Sequence, residues 1–400
     1  MALLGELVDI TGGGTPGRKI AEYWNGEIPW ATVKDFKSVE LKAALESITE
    51  EGLNKSASNL IPAGSIIVPT RMAVGKAAIN TVEMAINQDL KALIIKDKKK
   101  VDRDYLFRSI LSKSSYLERR GKGATVKGIT LDVLREMELP LPPPPLKEQK
   151  RIAAILDKAD AIRRKSQQAI DLTDQLLRSV FLDMFGDPVT TPKDWDVTVF
   201  GDLIDVLTDY HANGSYKILK KHVALKNTKN YALMVRTTDL ESENFTDNVK
   251  WINESAYTFL KKTKVYGGEL LVNKIGSAGA VYLMPHLDTP VSLAMNQFMI
   301  RCNEKCNNIF AYHYLKTEHA DRKIKERVQG AVTKTITKDA MRSIQFINPP
   351  IDLQNKFVGV VAKIENDLAD KLNNNKLDDL FNSLAQQAFN GALSKQTKAA

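Results

Sequence analysis

Cysteine is almost missing from this chain. Cys302 and Cys306 are the only two in 400 residues, which excludes a disulfide framework. Histidine is scarce as well: there are five, scattered, and none lies beside the cysteine pair. A closed zinc site needs four ligands, so the two thiols read as ordinary loop or strand-end residues and no metal site is expected. Long hydrophobic runs are absent, none approaching the roughly 18 apolar residues of a membrane span. The opening MALLGELVDITGGGTPG carries neither a basic leader nor an apolar core of signal-peptide length. A cytoplasmic protein with no membrane partner is the expectation. No Ser/His/Asp arrangement and no nuclease or helicase signature stands out, so no catalytic or cofactor-binding residue is assigned.

What is present is a globular composition, 43% hydrophobic and 26% charged, with length for about two to four domains. The formal charge of +9 suggests a polyanionic partner. Its distribution is more informative: +3 over residues 1–146, +2 over 147–185, +4 over 186–350, −2 over 351–390 and +2 over the last ten. Polyanion contact therefore belongs to the two long mixed segments rather than to the acidic stretch after residue 350.

The chain is written twice, at an offset of about 205 residues, far longer than a solenoid period. Leu4-Gly5-Glu6-Leu7-Val8-Asp9-Ile10 returns as Phe200-Gly201-Asp202-Leu203-Ile204-Asp205-Val206. The glycines of Pro62-Ala63-Gly64-Ser65-Ile66-Ile67-Val68 and Gly75 return in Tyr266-Gly267-Gly268-Glu269-Leu270-Leu271-Val272 and Gly279. Ile86-Asn87-Gln88 matches Met295-Asn296-Gln297, and Gly123-Ala124 with Gly128-Ile129-Thr130 matches Gly330-Ala331 with Thr335-Ile336-Thr337. Pro144-Pro145-Leu146-Lys147-Glu148-Gln149 returns as Pro349-Pro350-Ile351-Asp352-Leu353-Gln354. Matches in one order and near one offset are not chance.

Each copy has the same grammar. Short β-rich runs such as 65–68 and 269–272 alternate with turns and a few helical stretches such as 104–117. Prolines then stiffen a boundary, 140 and 142–145 in the first copy and 349–350 in the second. A long helix follows. In the first copy Ile152, Ile155, Ala159, Ile162, Ala169, Leu176 and Val180 mark its apolar stripe, and Gly186-Asp187-Pro188 ends it. In the second the stripe is Phe357, Val361, Ile364, Leu368, Leu372, Phe381, Leu384 and Ala388, ending at Gly391. A narrow stripe needs a partner helix, and the nearest one is its own repeat. At 1.5 Å per residue, roughly 38 residues make a rod of about 57 Å. Two equivalent surfaces held on such rods suit two major-groove contacts about one turn, ~34 Å, apart. They equally suit a pseudo-dimeric scaffold that binds no nucleic acid.

Several residues tip this balance. Gly14-Thr15-Pro16, Glu22-Tyr23-Trp24, Gly26-Glu27-Ile28-Pro29-Trp30 and Asp35 resemble the opening of the target-recognition domains of type I restriction–modification specificity subunits. Gly123-Ala124, Ile129-Thr130, Leu139-Pro140 and Pro144 through Ile152 resemble that family's junction between recognition domain and helix. The resemblance covers residues 1–392. The second copy departs from it, with Asp352-Leu353 in place of Lys147-Glu148 and no Gly-Thr-Pro or Trp marks in its opening. The resemblance implies an α+β chain of two α/β recognition domains in tandem, 1–146 and 187–350. Long helices at 147–186 and 351–392 would pack as an antiparallel coiled coil with pseudo-twofold symmetry, leaving a tail at 393–400. It also implies a non-catalytic DNA-binding subunit that reads a bipartite duplex target. Two modification subunits would carry S-adenosylmethionine, restriction/translocase subunits would use ATP and Mg, and the chain itself would hold no cofactor. Ile170, Leu172, Leu177 and Phe185 lie off the helical stripe and are expected to face a partner.

Some motifs are better refused. Gly12-Gly13-Gly14-Thr15-Pro16-Gly17 satisfies G-x-G-x-x-G, but no helical stripe follows it, and Arg18-Lys19 stands where a P-loop needs Lys-Ser/Thr. Asn348-Pro349-Pro350 resembles the motif with which amino-methyltransferases grip a flipped base, but Ile351 occupies the stacking position. A DNA adenine methyltransferase stays open as an alternative, as does the scaffold. Lys96-Asp97-Lys98-Lys99-Lys100 reads as a solvated loop first and a phosphate contact second.

Reading bases in the major groove takes Arg or Lys for guanine and Asn or Gln for adenine, with Ser and Thr looser; Lys and Arg on phosphates set the register. Polar loops bounded by glycine offer Thr32, Lys34, Arg71, Lys76, Lys122, Thr125 and Lys127 in the first copy. In the second they offer Arg236, Thr237, Asn273, Lys274, Ser277, Lys334 and Thr335. Gln88 and Gln297 are expected to satisfy buried backbone instead.

Overall fold

The computed structural model describes residues 2–123, 126–139, 146–187, 191–369 and 374–389. The proline cluster before residue 146, Thr125, Pro188, Leu372 and Gly391 lie outside them, as does the side chain of Leu368. The chain forms two compact units, residues 1–167 with 373–400 and residues 168–372. Its principal helices are α1 (Arg103–Leu111), α2 (Ser114–Arg120), α3 (Leu146–Phe185), α4 (Tyr216–His222), α5 (Asn308–Leu315), α6 (Glu318–Glu326), α7 (Ile351–Ala369) and α8 (Asn374–Phe389). The helical stretch expected at 104–117 is two helices, because Ser112 and Lys113 close the first and open the second.

In the first unit the strands are β1 (Val8–Gly12), β2 (Trp24–Ala31), β3 (Glu40–Leu41), β4 (Glu46–Ile48), β5 (Leu60–Ile61), β6 (Ile66–Pro69), β7 (Ala78–Asn80), β8 (Met84–Ile86) and β9 (Leu90–Ile95). They make two sheets, ordered β1-β9-β6-β7-β3 and β4-β2-β8-β5. Ile66 and Val68 enter one apolar cluster with Leu93 and Leu106, while Ile67 enters another with Ala31 and Ile86. Neighbouring side chains of a strand point to opposite faces, and a strand covered on both faces is apolar throughout. That is why residues 66–68 form an unbroken run.

The second unit repeats this wiring. Its strands are β10 (Ile204–Asp209), β11 (Ala232–Val235), β12 (Trp251–Ile252), β13 (Lys264–Val265), β14 (Leu270–Asn273), β15 (Val281–Leu283), β16 (Val291–Leu293) and β17 (Gln297–Cys302). The sheets are ordered β10-β17-β14-β15 and β12-β11-β16-β13, with parallel β11–β16 matching parallel β2–β8. The expectation of two mixed α/β units in tandem holds.

Backbone pairing corrects one of the repeat matches. Leu93 opposes Ile66 as Ile300 opposes Leu270, and Asn87 N donates to Ala31 O as Ala294 N donates to Val235 O, both at 3.0 Å. Asn87 is therefore the counterpart of Ala294, and the likeness of Ile86-Asn87-Gln88 to Met295-Asn296-Gln297 is out of register by two. The two glutamines accordingly differ. Gln297 is buried; its amide donates to Val235 O at 3.1 Å and accepts from Thr237 N at 3.0 Å. Gln88 is exposed and accepts from the Thr15 hydroxyl, so the buried role expected for both belongs to Gln297 alone.

A buried glutamine joins each globular part to its long helix. Gln149 of α3 accepts from Asp102 N at 2.8 Å and donates to Lys100 O at 2.8 Å. Gln354 of α7 accepts from Asn307 N at 2.9 Å and donates to Lys305 O at 3.0 Å. Asp102 and Asn307 are in turn the N-caps of α1 and α5. Beyond the glutamine the two joints diverge. In the first unit buried Arg108 reaches from α1 to Asp157 at 2.7 Å and Asp160 at 3.1 Å, and Asp160 also meets Arg163 and Arg164. In the second, His313 lies edge-on to Phe357 at 5.1 Å, and Phe181, Phe185 and Phe310 complete an aromatic core. Burial, with Lys316 adding to it, pushes the His313 pKa down to about 4.

The helices run antiparallel within each unit. Leu156 and Ala388 share one cluster while Arg163 lies over Phe381 at 5.1 Å; Phe181 meets Phe357 at 5.4 Å while Leu177 and Val361 share another cluster. The buried face of α3 matches the expected stripe only at its ends, where Ile152 is buried and Val180 packs against the core. Ile162 is 56% exposed and Leu176 50%, whereas Ala153, Leu156, Leu177, Phe181 and Phe185 are buried. Leu177 and Phe185 are thus core residues and offer nothing to a partner; Leu172 is exposed.

Two outcomes follow from the joints. Gln354→Leu leaves the part-buried Asn307 N–H and Lys305 carbonyl and the buried Pro349 carbonyl without their partner, so urea unfolding should show a loss of about 2 kcal/mol. Asp160→Ala leaves buried Arg108 with Asp157 alone and should cost about 2 kcal/mol at neutral pH. Burial opposes the charge of Asp160, but Arg108, Arg163 and Arg164 outweigh it and hold its pKa below the ordinary 3.8. A carboxylate with a lowered folded pKa stabilises above its unfolded value and stops doing so as pH falls through the folded one. The gap between wild type and variant should therefore close as pH drops below about 4.

Candidate nucleic-acid interface

Each unit brings two loops together by main-chain hydrogen bonds. In the first, the loop leaving β6 meets the turn before residue 130: Arg71 and Lys122 both bridge Gly128, Met72 N donates to Lys127 O at 3.1 Å, and Ile129 N donates to Thr70 O at 2.8 Å. In the second, Ile275 and Gln329 bridge Thr335, Gly276 N donates to Lys334 O at 3.1 Å, and Ile336 N donates to Lys274 O at 3.0 Å. The turns need glycine: Gly123 and Gly330 have φ of 130° and 98°, and a Cβ on either would lie 2.2 Å from a carbonyl oxygen of the same turn. These bonds make Arg71 the counterpart of Ile275, Lys122 of Gln329, Lys127 of Lys334 and Gly128 of Thr335.

The expected contact residues separate accordingly. Arg71, Lys122 and Lys127 come together on the first loop pair and are exposed, with Lys76 at the far end of the same loop. Arg71 keeps a loose pairing with Asp89 at 3.7 Å. Lys34 is exposed on the separate loop leaving β2. Thr32 is a cap rather than a reader, bonded to Lys34 N and Asp35. Thr125 lies outside the described residues. In the second unit Lys334 and Ser277 are exposed and Thr335 is half-buried. Lys274 is drawn toward Asp209 at 3.5 Å, which also takes Lys338 at 3.3 Å.

Three candidates are corrected outright by their surroundings. Asn273 is fully buried, accepting from Thr237 at 3.2 Å and donating to Ser277 at 2.8 Å. Thr237 spends its hydroxyl on that bond, and Arg236 is locked onto buried Asp239 and Asn248 O. They shape the loops that other side chains occupy. Two residues were missed. Met72, at φ 68° and 68% exposed, and Val332, 98% exposed, put apolar side chains beside the basic ones, as a thymine methyl requires. An apolar residue next to an invisible turn gives no sequence signal of exposure.

The refused motifs are structural. Gly14 N is spent on Ile86 O, and Gly14 O accepts from Trp30 Nε1 at 2.9 Å. A Cβ on Gly13 would sit 1.9 Å from Ile86 O. The glycines allow close packing, and the central amide, that of Gly14, is not available to a phosphate. Asn348-Pro349-Pro350 forms the head of α7: Asn348 N donates to Asp196 O, Pro349 O accepts from Gln354, and Pro350 O accepts from Leu353 N. The 96–100 run is a turn closed on Asp97. Among the described residues no cluster of metal ligands is present, and no helix is long and apolar enough to cross a membrane.

Comparison with known proteins gives the family and the fold. The MjaIX type I restriction enzyme specificity subunit of Methanocaldococcus jannaschii is 24% identical over 90% of this chain and 85% of its own length. A type I restriction enzyme specificity subunit of Escherichia coli is 35% identical over 40% of each chain. The crystal structure of the S subunit of a type I restriction–modification system from M. genitalium shares the fold, with a TM-score of 0.55 at 14% identity over 97% of this chain and 95% of that one. A model of the type I restriction modification DNA specificity domain matches twice, over residues 2–172 and 192–380, and this chain belongs to that family.

Proposed function

We propose that this chain reads a bipartite duplex DNA target with the bridged loop pair of each unit, and leaves the chemistry to partners. The observation that carries the reading is the loop pair itself. It occurs twice, is built from main-chain bonds, and exposes basic and polar side chains in both copies. Residues 1–146 and 187–350 are the two recognition domains, 147–186 and 351–392 the helical spacers, and 393–400 a tail. The continuous helix Leu146–Phe185 is the ruler between half-sites. Two modification subunits supplying S-adenosylmethionine dock on the helices, where Leu172 is exposed, and methylate adenine in each half. Restriction/translocase subunits add ATP- and Mg-dependent cleavage, and the setting is the cytoplasm.

The equivalences divide the work within a loop pair. Lys127 and Lys334 are the same residue in both units, so they take phosphates, which every sequence offers. Arg71 and Lys122 against Ile275 and Gln329 differ, so they take bases.

Lys127→Ala should weaken binding to all duplexes alike and flatten the salt dependence by a slope of about 1. Arg71→Ala should instead relax preference at one position of one half-site, by about 1–3 kcal/mol. Equal losses from both variants across a set of substituted duplexes would refute this division. Genome methylation mapped with and without the gene should lose one split motif; no lost motif would sink the reading.

A further inference from the structure

Between Asp209 and Asp239 the chain has no acidic residue, yet it carries Lys217, Lys220, Lys221, Lys226, Lys229 and Arg236. This segment joins β10 to β11. The same connection in the first unit, β1 to β2, is shorter, and its Arg18 is neutralised. Both guanidinium branches pair with Glu46, and the group lies over the Trp24 ring at 4.0 Å.

In the second unit the extra chain folds into α4. Leu219 is buried in a cluster with Tyr210, Met234, Ile252 and Ala294, and Val223 packs against it. That anchoring decides which side faces out. Lys217, Lys220 and Lys221, spaced i, i+3 and i+4, share the exposed side of the helix. Among the described residues none of the three has an ion-pair partner. Like charges at this spacing repel one another, and the fold supplies nothing to offset them. A polyanion would. The position of α4 points to DNA: Lys220 lines a cavity of about 460 Å³ together with Arg236, Thr237 and Asn296, and this cavity adjoins the second loop pair, because Thr237 donates to Asn273 and Asn296 O accepts from Lys274 N.

We propose that α4 is a DNA-backbone clamp peculiar to the second unit, with Lys217, Lys220 and Lys221 on phosphates flanking its half-site. The two recognition domains then grip DNA with unequal electrostatic strength. The proposal rests on the DNA-reading function above and adds the site and its asymmetry.

The test uses the full chain and a random-sequence duplex, with affinity measured from about 50 to 200 mM salt. A Lys217→Gln, Lys220→Gln, Lys221→Gln variant should flatten the plot of log K against log salt by a slope of about 2–3. The three Lys→Arg changes should restore it, and thermal melts should stay unchanged because the side chains are exposed. An unaltered slope in the Gln variant overturns the clamp, leaves DNA reading intact and points the lysines at an acidic protein surface. A wild-type chain without salt-dependent binding overturns the DNA-reading function and the clamp together.

Discussion

One buried carboxamide in each half holds a recognition domain to its helix. The joint requires a donor for the carbonyl of Lys100 or Lys305 and an acceptor for the amide of Asp102 or Asn307. Glutamine offers both on a side chain long enough to leave the helix; an ionised glutamate offers no donor and leucine neither. Because the amide it receives belongs to the N-cap residue of α1 or α5, the bond sets that helix's start and the approach of the long helix at once. Around this shared pin the filling changes freely. Arg108 with two aspartates does in one unit what four phenylalanines do in the other. A buried cation needs its carboxylates; in the second unit His313, neutral at physiological pH, stands where the first has Arg108.

The duplication was legible because it repeats glycines and glutamines that backbone geometry demands. Gly64 and Gly268 both take positive φ, at 81° and 80°, and Gln149 and Gln354 make the same two bonds. Where letters agreed without such a demand, the match failed. Asn87-Gln88 and Asn296-Gln297 look alike, yet the strands set them two residues apart. The face of α3 was misjudged for a related reason. Its buried positions include Gln149, Asp160 and Ser166, which an apolar stripe skips over, so the stripe drawn through Ile162 and Leu176 drifted onto solvent.

The candidate interface was legible as loops that the fold brings together, and poorly as residues that remain free on them. Arg71, Lys122 and Lys127 converge because a bridge between distant segments brings them together, and composition had marked both segments. The second unit shows the limit. Thr237, Asn273 and Arg236 have the chemistry of base readers but are spent on Ser277, Asp239 and one another. Hydrogen-bond capacity is visible in a sequence; whether a fold has already used it is not. The lysines of α4 escaped notice because they sit in an insertion that the first copy lacks, where comparing copies gives nothing to compare.

Holding the loops by main-chain bonds has a consequence for how such a protein acquires new targets. Met72 N to Lys127 O and Gly276 N to Lys334 O are main-chain bonds whose donors, at φ 68° and 85°, must tolerate the left-handed region and cannot be proline, but need no particular side-chain chemistry. The side chains on these loops therefore carry little of the loop's stability. Arg71 stands where the other unit has Ile275, and Lys122 where it has Gln329, with the bridges unchanged. On the proposed division of work, substitutions at these positions alter what is read without loosening the frame that presents it. Substitutions at Gly123, Gly330 or the glutamine pins do the reverse. Recognition and folding are thus assigned to different atoms of the same segment, side chains for one and backbone for the other, and that separation lets one architecture serve two unlike half-sites in a single chain.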